Sequence, residues 1–166
     1  RIHFASALTM LGYVDGAGHD TGVSYLEIAE FLMRHGADLN TDLEELWRRI
    51  VFNICIANTD DHLRNHGFLL AEKGWRLSPA YDVNPNEFGT GLSLNISEKD
   101  NALDLDLALS VAEYFRVKND LAKNNLLSEE TLQKYNELQE LLEKMSTEEM
   151  KEAFKRLQES LNSMNR

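Results

Sequence analysis

Near the middle of the chain the sequence reads Ile50-Val51-Phe52-Asn53-Ile54-Cys55-Ile56-Ala57-Asn58-Thr59-Asp60-Asp61-His62-Leu63-Arg64-Asn65. The first half is apolar nearly all round, which predicts the end of a helix that forms the buried axis of a domain. The second half is polar with no apolar period, which predicts a loop. A loop that leaves a buried helix is held by the core yet open on one side, and catalytic groups are commonly placed this way.

Helix signals precede this loop. A capping box at residues 24–27 and a glycine stop at Gly36 predict one helix between them, and a second box at residues 41–44 predicts the start of the axial helix. Residues 3–12 predict a short helix. Glycines among residues 15–22 predict a flexible loop and not a phosphate-binding one, because no Gly-Lys-Ser/Thr follows them.

The residues after the loop predict a small amount of β structure. Residues 67–71 and 75–78 flank a three-residue turn and predict a hairpin. Residues 92–96 predict one more short strand, and residues 104–117 return to a helical pattern. The predicted fold class is therefore mainly α with small β hairpins.

The sequence changes character near residue 119. Two amphipathic segments separated by a capping box predict a helical hairpin over residues 119–166, appended to a domain at residues 1–118. The hairpin either packs on that domain or offers a narrow coiled-coil seam to a partner; each apolar stripe is too short to decide.

Composition limits the classes of function. The 166 residues are 43% hydrophobic and carry a net charge of −11, which suits one soluble domain with an appendage. Because phosphate-backbone binding depends on basic residues, we expect no direct nucleic-acid binding and no association with anionic membranes.

A single cysteine, Cys55, excludes an internal disulfide and a cysteine-based zinc site. This usage predicts a reducing compartment, with the cytoplasm as the default, and Cys55 itself is predicted to be a core residue. The first residues form neither a signal peptide nor a start methionine, so we expect the chain to begin partway into a larger protein.

Three polar side chains carry the main functional hypothesis. Asp60 and Asn65 have the Asp-x-x-x-x-Asn spacing of a phosphoryl-transfer loop, and the predicted hairpin brings Asp82 back beside it. Such chemistry needs oxygen ligands for Mg²⁺ and a carboxylate beside the attacking hydroxyl. Taken singly, Asp60 or Asp61 is equally well explained as a helix or turn cap.

The stretch from Asn58 to Leu69, followed by Trp75-Arg76-Leu77-Ser78-Pro79-Ala80-Tyr81-Asp82-Val83, closely resembles the C-terminal helical lobe of HipA-like serine/threonine kinases. These kinases are toxins of bacterial toxin–antitoxin modules. The resemblance runs from Arg1 to about Val117. It implies a protein-kinase-like fold and ATP-dependent phosphorylation of a protein serine or threonine, with an antitoxin or a separate N-terminal kinase lobe as further partners.

The resemblance also implies roles for single residues. Asp60 would be the catalytic base, and Asn65 and Asp82 would hold Mg²⁺ against ATP. Nucleotide contacts are implied for Tyr81 and for the residues between base and ligand, which are His62, Leu63 and Arg64. A structural role for His62 explains its presence equally well.

The chain departs from the family pattern in one respect. The glycine-rich loop, the phosphate-binding lysine and the hinge of a complete kinase of this type are not found in it. Because phosphoryl transfer depends on positioning and electrostatics, we expect the chain alone to be inactive or nearly so.

Two other functions stay open. The lobe could serve as a non-catalytic module that docks an antitoxin or another lobe. A metal-dependent phosphohydrolase using Asp60, Asp61 and His62 is the second, although its ligand count is low for a transition-metal site.

Overall fold

The computed structural model describes residues 1–86 and 89–118. In chain order the elements are β1 (Phe4–Ser6), α1 (Ala7–Leu11), α2 (Tyr25–His35), α3 (Leu39–Cys55), β2 (Gly67–Ala71), β3 (Gly74–Leu77) and α4 (Leu105–Ser110). Short 3₁₀ helices lie at His19–Thr21, Leu63–Asn65 and Ala112–Phe115. The described part is thus a mixed fold of four α-helices and one small sheet, whereas the hairpin predicted for residues 119–166 lies outside the described residues.

Helix α2 forms where its capping box predicts it. The backbone amide of Ser24 donates to Glu27 Oε2 at 3.1 Å, and the amide of Gly36 donates to the carbonyl of Leu32 at 2.7 Å. One face of the helix is buried at helical spacing by Tyr25, Ile28, Ala29, Phe31 and Leu32. The prediction for this helix is confirmed.

Helix α3 begins before its predicted capping box. It starts at Leu39, with Asp38 as the N-cap residue. Glu44 does not reach back to close the predicted box, since its carboxylate pairs with Arg48 at 2.5 Å one turn further along. The predicted buried axis is nevertheless present, because the helix buries Leu43, Leu46, Trp47, Ile50, Val51 and Ile54.

The sheet is antiparallel, with strand order β1-β2-β3. Ala71 pairs with Gly74, so the turn of the predicted hairpin contains two residues and not three. Residues 4–6 of the predicted first helix form β1 instead, because they pair with β2 through Phe4 and Leu69. Only the second half of that prediction, α1, is helical.

The segment at residues 92–96 is not a strand, in contrast to the prediction. It makes an isolated parallel bridge between Ser24 and Asn95, while Leu92, Leu94 and Ile96 are fully buried. Asn95 is buried as well, so the side chains do not alternate between core and solvent, and no strand among the described residues extends the pairing.

The last described helix is shorter than predicted. α4 ends at Ser110, and a 3₁₀ turn follows that closes at Arg116 with φ of 60°. The indole of Trp47 donates to the carbonyl of Ala108 at 2.9 Å, which fixes α4 against α3. Within residues 1–86 and 89–118, no helix has the length and apolarity needed to cross a membrane.

Candidate functional site

The chain that leads to Asp82 runs alongside α3. Near the start of α3, the carboxylate of Asp42 accepts from the amide of Leu77 at 3.2 Å, and two turns later Arg49 donates to the carbonyl of Ser78 at 2.5 Å. The segment after β3 is therefore directed toward the end of α3, where the polar loop begins. This path is how the hairpin returns Asp82 to the loop.

The side chain of Asn65 links the other two predicted site residues, Asp60 and Asp82. Its side-chain nitrogen Nδ2 donates to the carbonyl oxygen of Asp60 at 3.2 Å and to that of Asp82 at 3.4 Å. Asn65 itself is buried, whereas the two aspartates are exposed. The structure thus brings Asp60, Asn65 and Asp82 to one place with both carboxylates toward solvent.

Asp82 has a strained backbone. Its φ of 55° lies in the left-handed region, which costs a non-glycine residue energy and is found disproportionately at functional sites. Its Oδ1 accepts from the side-chain amide of Asn84 at 2.9 Å. The strain is held in place by the neighbouring contacts, including the bond from Asn65.

Asp61 points the other way, into the core. Its Oδ2 accepts from the Tyr25 hydroxyl at 2.6 Å and from Asn53 Nδ2 at 2.7 Å, and it lies 2.8 Å from Nε2 of His66. Burial alone would raise the pKa of the Asp61 carboxyl, but the charge of His66 and the hydrogen bonds from His66 and Tyr25 together lower it below its usual range.

The other residues predicted to contact the nucleotide lie in or next to the same loop. The hydroxyl of Tyr81 donates to the carbonyl of Arg64 at 2.6 Å, and its burial is the main reason that its pKa is raised. Leu63 is fully buried. His62 lies with Nε2 3.3 Å from the Arg64 guanidinium, and its Nδ1 is buried without a hydrogen-bond partner among the described residues.

A cleft of about 400 Å³ opens next to His62, Leu63 and Arg64. The glycine-bearing loop at residues 15–20 forms its opposite wall, and the guanidinium of Arg64 reaches Asp15 across it at 2.6 Å. Asp60, Asn65 and Asp82 do not line this cleft. A ligand in the cleft would therefore contact the middle of the polar loop.

Sequence reasoning missed the buried partners of the loop. His66 received no role, yet it is 1% exposed and contacts Asp61. The sequence offered one signal, the position of Asp61 and His66 directly after Asp60 and Asn65. Because Asp61 is engaged by three core groups, it is badly placed to share a metal with Asp60 and His62, which argues against the phosphohydrolase.

The donor set of Asn65 and Asp82 fits Mg²⁺. Both supply hard oxygen atoms, and Mg²⁺ commonly takes only one or two protein carboxylates. Neither hydrogen bond of the Asn65 amide uses Oδ1, the atom that would ligate the ion. In the part of the chain that the structure describes, no group of three or more His, Cys, Asp or Glu residues is arranged to hold a metal ion.

Comparisons with known proteins agree with the resemblance. A model of the HipA-like C-terminal domain matches residues 1–163, which extends the match well beyond Val117. A Haemophilus influenzae protein, named provisionally as a kinase, is 35% identical over 68 residues, covering 40% of this chain and 20% of that protein.

The fold also matches a solved structure. A chain in the Shewanella oneidensis toxin–antitoxin complex of HipA, HipB and operator DNA aligns with a TM-score of 0.64 at 19% identity, covering 91% of this chain and 40% of that chain. The present chain thus spans well under half the length of both relatives. With the family match over nearly its whole length, the chain belongs to the HipA-like C-terminal domain family.

Proposed function

We propose that this chain is the C-terminal catalytic lobe of an ATP- and Mg²⁺-dependent kinase that phosphorylates a serine or threonine of a protein. The observation that carries the proposal is the Asn65 side chain, which ties the backbone of Asp60 to that of Asp82. Phosphoryl transfer needs a base and two metal ligands at one place, and these three residues meet that requirement. A protein-kinase-like lobe is the corresponding fold proposal.

Each residue has a distinct role in this proposal. The exposed carboxylate of Asp60 accepts the hydrogen bond, and then the proton, of the acceptor hydroxyl. Asn65 Oδ1 and the Asp82 carboxylate hold Mg²⁺, which when bound offsets the negative charge of the phosphates. The backbone tie through Asn65 keeps base and ligands at a fixed separation, so positioning is achieved before substrate binds.

The nucleotide and the protein partners follow from the same site. We assign the ATP phosphates to the face of the loop that carries Asn65 and Asp82, where Mg²⁺ would be held, with the neighbouring His62, Leu63 and Arg64 close to them and Tyr81 beside the nucleotide. Because the Shewanella complex contains HipB, we propose an antitoxin as a partner of this protein too. The cytoplasm is the compartment we expect for such a pair.

The test compares three variants of the complete kinase, with the N-terminal lobe present. Asp60→Asn and Asp82→Asn are each expected to lower phosphate transfer to a protein hydroxyl by about 100-fold or more. Glu72→Gln, an exposed carboxylate in the hairpin turn, is the matched control and should leave the rate unchanged. Equal activity of all variants, or no shift of the 60–65 amide resonances on adding MgATP, would favour the non-catalytic docking module.

A further inference from the structure

We propose that the buried pair of Asp61 and His66 is a clamp that sets the separation between Asp60 and Asn65. The proposal rests on the proposed function for the roles of Asp60 and Asn65, whereas the clamp itself is a property of the loop. Asp61 and His66 are positioning residues, because neither reaches the exposed face where substrate would bind.

The sequence order makes the clamp possible. Asp61 directly follows the base, and His66 directly follows the metal ligand. The side chains of Asp61 and His66 meet at 2.8 Å on the core side of the loop. The Asn65 side chain closes the same loop a second time, through its bond of 3.2 Å to the carbonyl of Asp60. The separation of base and ligand is therefore fixed by two cross-links.

The clamp is also anchored to the rest of the fold. The Asp61 oxygen that contacts His66 accepts from Tyr25 on α2 and from Asn53 on α3. At the other end, the amide of Ala7 on α1 donates to the carbonyl of His66 at 2.7 Å. Three helices thus hold the clamp.

Burial makes the pair hard to dispense with. Asp61 is 4% exposed and His66 is 1% exposed, so an unpartnered carboxylate at this place would pay a large desolvation cost. An apolar pair would fill the same space without that cost. Such an apolar pair would not fix the distance and direction between residues 61 and 66 through a hydrogen bond. This is the difference between a clamp and ordinary core packing.

The first experiment reads the loop itself, without ATP or Mg²⁺. In the wild-type protein, the side-chain amide protons of Asn65 should be shifted from the positions of a free amide and should exchange slowly with water. His66→Leu should move them toward the positions of a free amide and speed their exchange with water, whereas His66→Gln, which keeps a donor toward Asp61, should preserve them. Trp47→Phe is the control, because it removes a buried hydrogen bond, to the carbonyl of Ala108, that involves neither Asp61 nor His66.

The second experiment measures the Mg²⁺ concentration for half-maximal activity of the complete kinase, at a temperature where circular dichroism shows the variants to be folded. His66→Leu should raise it about tenfold, the loss expected for one charge-assisted hydrogen bond. Trp47→Phe should leave it unchanged even though it lowers stability. If His66→Leu does not fold, Asp61→Asn, which keeps the side-chain shape and removes the charge, takes its place in both experiments.

Three results would overturn the clamp: a folded His66→Leu protein with the wild-type Asn65 resonances, an unchanged Mg²⁺ requirement in that variant, or an equal effect of Trp47→Phe. A wild-type kinase that transfers no phosphate would instead refute the proposed function, and the resonances of Asn65 would still decide whether the clamp exists.

Discussion

The contact between Asp42 and β3 allows a quantitative prediction, because all of its partners are defined. Asp42 is 3% exposed, and its two oxygens accept from Arg76 Nε at 3.1 and 2.9 Å and from the amide of Leu77 at 3.2 Å. In Asp42→Asn, the side chain keeps its shape but loses its charge. Because both oxygens of Asp42 accept hydrogen bonds, either orientation of the new side-chain amide would place its NH₂ group against a donor from Arg76 or Leu77.

The cost follows from the burial of each partner. The Arg76 side chain is 38% exposed, so screening and water reduce its share. The Leu77 amide is buried, and weakening its bond to a charged acceptor costs the most. Together we expect Asp42→Asn to lower the free energy of unfolding by about 2–3 kcal/mol.

Urea denaturation followed by circular dichroism measures this change. With a slope of about 1–3 kcal/mol per molar urea, the midpoint should fall by roughly 0.7–3 M. The control is Glu44→Gln, which removes a carboxylate from the same helix and breaks an exposed ion pair with Arg48. It should change stability by less than about 0.5 kcal/mol. Equal effects of the two substitutions would refute the reasoning that burial, and not charge alone, determines the contribution of Asp42.

Further predictions concern the loop and the single cysteine. Asn65→Ala should abolish phosphate transfer in a kinase assay while costing only about 1 kcal/mol in urea denaturation, because its two hydrogen bonds are long. Because the pKa of Asp61 is lower in the folded protein, the unfolded chain binds more protons, so the contribution of Asp61 to folding stability is present above its unfolded pKa and is lost as pH falls through its folded pKa. The urea midpoint should therefore change less with pH, between about pH 3 and 7, for Asp61→Asn than for the wild type. Burial raises the pKa of the Cys55 thiol to about 11 from 9.0, so a disulfide reagent should react roughly tenfold more slowly with the folded protein than with the unfolded chain, as followed by absorbance; the smaller thiolate fraction is partly offset by the greater nucleophilicity of a thiolate of higher pKa.

The sequence predicted those elements whose determinants are local. Helix α2 carries its cap and its apolar face within a dozen residues, and the hairpin carries its turn between two strands. Strand β1 was missed because Phe4-Ala5-Ser6 has no strand pattern of its own and becomes a strand only by pairing with residues 67–69. The predicted start of α3 was too late, because the helical hydrogen bonds extend back to the carbonyl of Asp38, which accepts from the amide of Asp42 at 3.1 Å.

The candidate site divides in the same way. The spacing of Asp60, Asn65 and Asp82 is visible in the sequence, and the structure brings the three together through one amide. The inward-facing Asp61 was not predicted as a hub, because its partners Tyr25 and Asn53 come from two different helices. Hydrogen bonds between residues distant in sequence leave no local pattern to read.

Helix α3 explains why the site residues keep fixed relative positions although they lie on a loop and after a hairpin. The loop that carries Asp60 begins where α3 ends. Along the side of the helix, Asp42 and Arg49 bind residues 77 and 78, which lead to Asp82. Any shift of the hairpin relative to the loop must therefore break buried contacts to this one helix, which costs more than the bonds within the site itself. The core thus determines where the two exposed carboxylates lie. The left-handed backbone at Asp82 persists because the chain is held on both sides of it, by the hydrogen bond from the Tyr81 hydroxyl to the carbonyl of Arg64 and by that from the amide of Asn86 to the carbonyl of Ala57.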